Sequence, residues 1–399
     1  MEEYRAQTPL QGLANYVRSI GFEECLFYFA FTLCTFTTLM MRTTYSTVAG
    51  FDKDSFEFLA YALVALLLLG KLILDRETSW RYALAWALVI LAFVTYWFAN
   101  QWRVSVLFLF IAAGKGVSLK RLAALALVIQ ATVLLVTVSF AMAGKLYSFT
   151  VWRETGEGWI PRLSYGYSHP NMLGQVFLTI ALSFAVLRFP RFNLGDVLVY
   201  VVLAAAAGML VMARTATAGI VLAGVLAALS PFVMRTPQRQ HRMALLACIA
   251  FCFAAVFSYF MMLCYSPDVG LMASLDRVLS TRFSLAHRFF EVFPPQPFGR
   301  SIMAVKLGDF AQESPDNLYA YMLLKQGIVP TLVLGALVLA VYVRAIRTKA
   351  WSAALMGLMV FAIAGIMEMY AVNFTLDFFL IACAWLLYGT WPESRVDDA

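Results

Sequence analysis

The sequence predicts an all-α, polytopic integral membrane protein, and three observations carry that expectation. Hydrophobic residues make up 62% of the 399 residues and charged residues only 13%, a balance that soluble domains do not keep. Apolar runs of ~17–25 residues, the length needed to cross a bilayer as a helix, recur along most of the chain. Lys and Arg gather in alternate short connections, the bias that orients membrane helices.

About twelve spans follow from the apolar runs: residues 23–41, 55–74, 81–99, 101–113, 119–143, 171–187, 195–212, 216–234, 243–264, 327–343, 352–369 and 374–391. The fourth is short, and Asn100-Gln101-Trp102-Arg103 also suits a bent hairpin. Met1 to Glu24 is polar and amphipathic with no small-residue cleavage site, so no removable signal peptide is expected. Every even-numbered connection is basic: Lys71, Arg76 and Arg81; Lys115, Lys120 and Arg121; Arg188 and Arg191; Arg235, Arg239 and Arg242; Arg344, Arg347 and Lys349. These connections and both termini are therefore expected in the cytoplasm. The net charge of +7 mostly reflects them and calls for no nucleic acid. The six cysteines lie nearly all in apolar segments. Cys248 and Cys252 share a helix face, but no His or carboxylate joins them, so neither a metal site nor a disulfide framework is expected. Three regions follow: membrane helices over 1–264, about sixty residues without a spanning run over 265–326, and membrane helices again over 327–399.

The stretch Arg162-Leu163-Ser164-Tyr165-Gly166-Tyr167-Ser168-His169-Pro170-Asn171-Met172-Leu173-Gly174 opens the sixth span and concentrates polar groups there. Pro170 suits the first helical position, where its missing N–H would be unpaired anyway. His169 is then the N-cap and Asn171 lies in the first turn. The positive end of the helix keeps His169 neutral and favours a nearby anion. A plain capping turn at the membrane surface accounts for the same residues.

Arg162, Arg214, Arg282, Arg288 and Arg300 all fall on the outer side, where the positive-inside bias does not explain them. Arg214 sits in a connection so short that its guanidinium must lie near the helix ends; it faces either a cavity or the headgroups. Apolar positions 275, 278, 279, 283, 285, 289, 290 and 293 recur at helical spacing and predict one amphipathic helix on the outer leaflet. Arg277, Arg288 and Glu291 lie toward its polar side; Arg282 and His287 fall close enough to point inward. Binding to lipid headgroups competes with a role in a site. Further on, Asp316 or Asn317 caps a helix that runs through Tyr319. Glu368, Tyr370, Asn373 and Asp377 interrupt the last two spans, and Glu368 near a helix end is a candidate site residue, with snorkelling to water as the alternative.

Arginine forks suit phosphate oxygens and aromatic faces such as those of Trp152, Trp159, Tyr165 and Tyr167 suit sugar rings. A diphosphate leaving group needs its charge neutralised. No cluster of outer carboxylates is in place to hold a metal, so the arginines would do this. The residues thus point to an outward-facing site for a lipid-linked, phosphorylated sugar.

The stretch Arg162-x-Ser164-x-Gly166-Tyr167-x-His169-Pro170-Asn171-x-x-Gly174 resembles the signature of bacterial polysaccharide polymerases and O-antigen ligases, above all the Wzy-type polymerases. Arg214-Thr215-Ala216 is similar to the family's Ser-Arg-Thr/Ser loop, with Ala213 in place of the serine. Leu279-Ser280-Thr281-Arg282 followed by Pro297-Phe298-Gly299 resembles its arginine-bearing outer region. Asp316-Asn317-Leu318-Tyr319 leading to Gly327-Ile328, then Glu368 with Asn373, resemble its last third. The resemblance spans residues 162–377.

It implies a glycosyltransferase-C-like membrane fold with an outer amphipathic region, in the bacterial inner membrane. The implied activity is metal-independent, inverting transfer of a glycan from an undecaprenyl diphosphate donor. A polymerase uses a second lipid-linked repeat unit as acceptor; a ligase uses another surface acceptor. The resemblance implies no cofactor, with membrane lipids around the site and a chain-length regulator and a flippase as partners. It assigns His169, Arg214, Arg282, Glu368 and Asp316 to catalysis. Arg162, Tyr167, Asn171, Arg288, Asn317, Tyr319 and Asn373 are assigned to substrate binding. Arg214 and Arg282, with Arg288, would hold the diphosphate, and His169 would position or deprotonate the acceptor hydroxyl. The competing class is a flippase for lipid-linked oligosaccharides, although a transporter should gather its polar groups near the midplane, with broken helices or repeated halves.

Overall fold

The computed structural model describes residues 21–75, 79–155, 158–302, 305–307, 310–312 and 314–391. Most of the expected amino-terminal amphipathic stretch, Arg76 of the second basic connection and residues 392–399 lie outside these. In chain order the first helices are α1 (Phe22–Met41), the short α2 (Tyr45–Ala49), α3 (Lys53–Leu74), α4 (Trp80–Ala99), α5 (Trp102–Ala112) and α6 (Leu119–Met142). A hairpin of β1 (Thr150–Thr155) and β2 (Gly158–Leu163) precedes α7 (Pro170–Arg188), α8 (Leu194–Ala205), α9 (Arg214–Val233) and α10 (Pro237–Cys264). Then come α11 (Gly270–Val278), α12 (Arg282–Val292), a second hairpin of β3 (Val305–Leu307) and β4 (Phe310–Gln312), and α13 (Leu318–Tyr321). The chain closes with α14 (Ile328–Thr348), α15 (Ala353–Ala364) and α16 (Ile381–Tyr388).

Among the described residues, eight helices are long and apolar enough to cross a membrane: α1, α3, α4, α6, α7, α9, α10 and α14. Four shorter apolar helices, Trp102–Ala112, Leu194–Leu210, Ala353–Ala364 and Phe378–Tyr388, fall on the other four expected spans. The two hairpins modify the all-α expectation. The first pairs Val151 with Arg162 and Trp152 with Pro161, and its Val, Trp, Thr and Ile residues are strand formers. Helix α7 is the hub: 67% of its apolar span is buried, against 28–44% in the other seven, and it packs on both α6 and α9. Its Gly174 lies so close to Ala213 and Ala216 that a side chain there would collide with them.

The single amphipathic helix expected over 275–293 is broken in two. Ser280 and Thr281 adopt left-handed backbone angles, φ +60° and +59°, which end α11 and start α12. Asp276, buried on α11, explains the break: its Oδ1 accepts from the N–H groups of Phe283 (2.8 Å) and Ser284 (3.1 Å), two of the donors that a helix start leaves unpaired. The apolar face of α12 does not lie on lipid either. Leu285, Ala286 and Phe289 are buried against Met262, Ile302, Ala320 and Leu324.

The last two spans are also interrupted. Helix α15 stops at Ala364, and residues 365–377 follow an irregular path with one 3-10 turn at Tyr370–Val372. The carbonyls freed there are taken up by the turn ahead of α13. Leu318 N–H donates to Gly365 O (2.8 Å), Asn317 Nδ2 to Ile366 O (2.9 Å) and Tyr319 Oη to Ala362 O (2.9 Å). Irregular backbone among membrane helices persists where protein groups satisfy it in this way. Asn317 is the cap of α13, accepting from the N–H groups of Tyr319 and Ala320.

A second junction fixes the same end of the bundle. Gly299 and Gly327, at φ +82° and +103°, face each other backbone to backbone, so a Cβ on either would strike the other's segment. Arg300 N–H donates to Lys325 O (3.1 Å), and Ile328 and Val329 donate to Gln296 and Pro297 (2.9 Å each). Gly327→Ala should therefore destabilise by more than ~1 kcal/mol, from the positive φ alone, with the collision adding to it. Thermal unfolding in detergent should show a lowered midpoint, whereas Gly335→Ala, at a glycine with open space around it, should leave it nearly unchanged.

Candidate functional site

The beginning of α7 is built as the sequence predicts. His169 is its N-cap, Pro170 takes the first position, and His169 Nδ1 accepts from Asn171 N–H at 3.1 Å. That bond occupies the Nδ1 lone pair, so in the neutral ring the proton sits on Nε2, which is a donor. Burial, with Arg162 and Arg282 adding to it and Asp316 opposing, holds the His169 pKa below its ordinary value.

One turn along, Asn171 and Gln175 share a face of α7 at i, i+4 spacing and hold a buried carboxylate between them. Glu368 Oε1 accepts from Asn171 Nδ2 (3.3 Å) and from Arg282 Nη2 (3.2 Å), and Oε2 accepts from Gln175 Nε2 (3.4 Å). Arg282, the first residue of α12 and 8% exposed, also reaches Asp316, with Nη1 2.9 Å from Oδ2 and 3.1 Å from the carbonyl. Arg162, projecting from β2, donates to Asn171 Oδ1 (2.7 Å) and to Val211 O (3.3 Å). Burial pushes the Glu368 carboxyl up to about 7, against the opposite pull of Arg282.

Arg162, Arg214 and Arg282 border one cavity of about 180 Å³, together with Trp152, Asn171 and Thr215. They come from three separate elements, β2, the start of α9 and the start of α12. Arg214 is exposed, whereas the other two are buried. Asn171 and Thr215 also line a crevice of about 20 Å³ beside Glu368 and Gln175, large enough for about one water. Phe361 and Ala371 belong both to that crevice and to an apolar cavity of about 390 Å³ between α10, α14 and α15.

The structure thus brings together His169, Asn171, Arg162, Arg214, Arg282, Asp316 and Glu368. Others of the sequence-derived set lie elsewhere. Arg288 is exposed and pairs with Glu291 (3.0 Å), and Arg300 donates to Pro294 O (2.8 Å). Tyr167 is fully buried. Asn317 and Tyr319 brace the end of α15, as described above, so they act on Glu368 through the backbone that carries it. Asn373 accepts from Thr375 N–H (3.0 Å) and Oγ1 (2.7 Å) and shapes the turn beyond. Sequence reasoning missed Arg42 and Gln175. Arg42 Nη1 donates to Gln175 Oε1 (3.2 Å), and its guanidinium lies 4.9 Å from the centre of the Tyr370 ring. A signal existed for both. Arg42 follows the first span, in a connection that the charge alternation puts outside, and Gln175 is one turn beyond Asn171.

Among the described residues, no group of three or more His, Cys, Asp or Glu is placed to hold a metal ion. Fold and site define a multi-pass helical membrane protein with a buried, arginine-rich polar centre at one end of its helices. Compared with family models, with curated proteins and with solved structures, the chain matches none.

Arg282 pairs two carboxylates, so its removal leaves Glu368 buried without its cation. Breaking such a pair costs ~3–5 kcal/mol. Arg282→Met should lower the thermal midpoint in detergent clearly, and Arg282→Met with Glu368→Gln should recover part of the loss. An unchanged midpoint in Arg282→Met would mean that the Arg282–Glu368 pair contributes nothing to folding.

Proposed function

We propose that the protein is a membrane glycosyltransferase that polymerises lipid-linked polysaccharide repeat units, taking the glycan from an undecaprenyl diphosphate donor on the outer face of the bacterial inner membrane. The observation that carries this reading is the convergence of Arg162, Arg214 and Arg282 on one cavity beside a buried carboxylate. The cavity is smaller than the ~300–1,000 Å³ of ordinary small-molecule sites and suits a compact polyanion. Arg282 Nε is a buried donor without a partner among the described residues, which favours an incoming acceptor oxygen. The adjoining apolar cavity gives a lipid chain a place next to the charged one. The four shorter helices are read as further crossings, for about twelve in all. Of the residues that carry the family resemblance, Arg162, His169, Asn171, Arg214, Arg282, Asp316 and Glu368 support this reading by lying at the polar centre.

In the proposed step an acceptor hydroxyl attacks the anomeric carbon of the donor from the face opposite the diphosphate. The new C–O bond forms as the bond to the phosphate oxygen breaks, so the configuration inverts. The electron pair leaves with undecaprenyl diphosphate, whose charge the arginines take up. Glu368 receives the hydroxyl proton. We assign the base to Glu368 rather than to His169 because the His169 Nδ1 lone pair is already engaged by Asn171 N–H. His169 then donates from Nε2 to a substrate oxygen.

The test is to incubate purified protein with lipid-linked repeat units in detergent, with and without EDTA. Chains longer than one unit are expected in both. A donor returned without covalent change would favour the flippase, and transfer only to a different surface acceptor would make the protein a ligase. Loss of activity in EDTA that added divalent metal restores would defeat charge neutralisation by arginine alone. Arg214→Ala, at an exposed residue, should lower transfer by at least ~10²-fold without affecting the thermal midpoint, and Arg214→Lys should rescue only partly because an ammonium has no bidentate fork.

The base assignment has its own signature. Glu368 acts ionised, and its pKa is raised, so activity should fall as the pH drops through about 7. His169, held below its ordinary pKa, is already neutral there. Glu368→Gln should lower the chemical rate by ~10²–10⁴-fold and abolish the acid limb. If instead His169→Gln removes the limb and Glu368→Gln keeps it, His169 is the base.

A further inference from the structure

We propose that Arg42 is a positioning residue for this reaction, acting on Glu368 through the Gln175 side chain. The inference rests on Glu368 as the base.

Arg42 ends α1 and is only 5% exposed, yet no carboxylate of the described residues lies within ion-pair distance of it. It has instead one neutral acceptor, Gln175 Oε1 (3.2 Å), and the face of Tyr370. An arginine is expensive to bury on those terms. A structural residue at this place needs neither a full charge nor a fork. Its backbone is tied to the α7 motif as well: Arg42 O accepts from Ser168 N–H (2.8 Å) and Oγ (3.0 Å), and Thr43 forms a bridge with Tyr167.

The Gln175 amide can satisfy its two neighbours in only one orientation. Arg42 has donors alone, so it requires Oε1; the Glu368 carboxylate has acceptors alone, so it requires Nε2. Arg42 therefore fixes which end of the amide meets Glu368. The withdrawal of electron density at Oε1 also strengthens donation from Nε2. Arg162 and Asn171 repeat the arrangement on the other carboxylate oxygen, with 2.7 Å from Arg162 to Asn171 and 3.3 Å from Asn171 to Glu368. Each oxygen of Glu368 thus receives an amide that an arginine orients.

Other charged or titratable groups face Glu368 from every side: Arg282 from α12, Asp316 ahead of α13, Arg162 from β2, His169 at the start of α7 and Tyr370 from the following turn. None of these takes the place of the bond to Oε2. Without Arg42, Gln175 is free to turn its carbonyl toward the carboxyl, and a nearby positive charge is lost. Both changes favour the protonated form, so the Glu368 pKa rises.

The experiment is a set of pH–rate profiles for Arg42→Gln, Arg42→Lys, Gln175→Leu and the Arg42→Gln/Gln175→Leu double variant. Arg42→Gln and Gln175→Leu should each move the acid limb up by about one pH unit. At pH 6 kcat then falls about tenfold, recovers at high pH, and leaves KM for the donor unchanged. Arg42→Lys, which keeps a donor and a charge, should move the limb less. The double variant should shift the limb by less than the sum of the two single shifts, because both act through the same Gln175 contact to Oε2. A loss that is equal at every pH, or effects that add in the double variant, overturns the inference. Gln175→Leu leaves Arg42 in place and carries the test if Arg42→Gln reduces the yield. Infrared titration of the Glu368 carboxyl band, identified by its disappearance in Glu368→Gln, reads the same shift without turnover. An unchanged midpoint in Arg42→Gln defeats the inference; a shifted midpoint in a protein that transfers nothing defeats the transferase reading alone.

Discussion

The burial of Glu368 is the constraint on which the polar end of the structure depends. A carboxylate taken out of water is tolerable only if its oxygens are filled and a cation stands close. Glu368 receives both, but from distant parts of the chain: Asn171 and Gln175 on α7, and Arg282 on α12. No one of these can move without leaving a buried charge exposed to poor company. The break between α11 and α12 has its physical purpose here. A continuous helix over 275–293 would carry Arg282 past the site, whereas the left-handed turn at Ser280–Thr281, secured by Asp276, starts a new helix with Arg282 as its first residue.

The backbone that carries Glu368 is irregular for a related reason. A helix would have turned the residue with its own periodicity and left its neighbours facing lipid. Instead α15 ends early, and the turn at Asn317 supplies the donors that its last carbonyls lack. Asn317 thus serves two segments with one side chain, capping α13 through Oδ1 and bracing residue 366 through Nδ2. The same economy appears at Asp316, which leaves the capping role to its neighbour and holds Arg282 in place.

Much of the frame was legible in the sequence because membrane helices are written in long-range hydrophobicity, a signal that survives averaging over many residues. His169-Pro170 was legible for a local reason, since a proline after a capping side chain leaves few other conformations. The break at 280–281 was not. Ser280 and Thr281 carry no preference for left-handed backbone, and Asp276 acts from the preceding helix, so the periodicity of the apolar positions runs straight through. Arg288 and Arg282 share charge and side of the membrane; the apolar periodicity already turned Arg282 inward and Arg288 outward, and the break adds that Arg282 begins a helix. Arg42 and Gln175 form their bond across more than a hundred residues. Each carried a signal in its own segment, but the pairing exists only once α1 and α7 are side by side.

The cations at this end differ in what they can contribute. Arg42, Arg162 and Arg282 are buried and held by side chains or carbonyls, so their orientation is set when the protein folds. Arg214 is exposed at the start of α9 and is free to follow a ligand. Among the described residues, four guanidiniums stand near two carboxylates, Asp316 and Glu368. Positive groups are thus in place before any substrate arrives. Such a field stabilises a group whose negative charge grows during reaction more than one whose charge is already complete. On a sugar diphosphate this favours bond breaking over simple retention of the donor. As the proposed base, Glu368 must also escape tight ion pairing with all of these cations. Placing an amide between Glu368 and each of two arginines meets that requirement: the positive charge acts at a distance, and among the described residues only Arg282 touches the carboxylate directly.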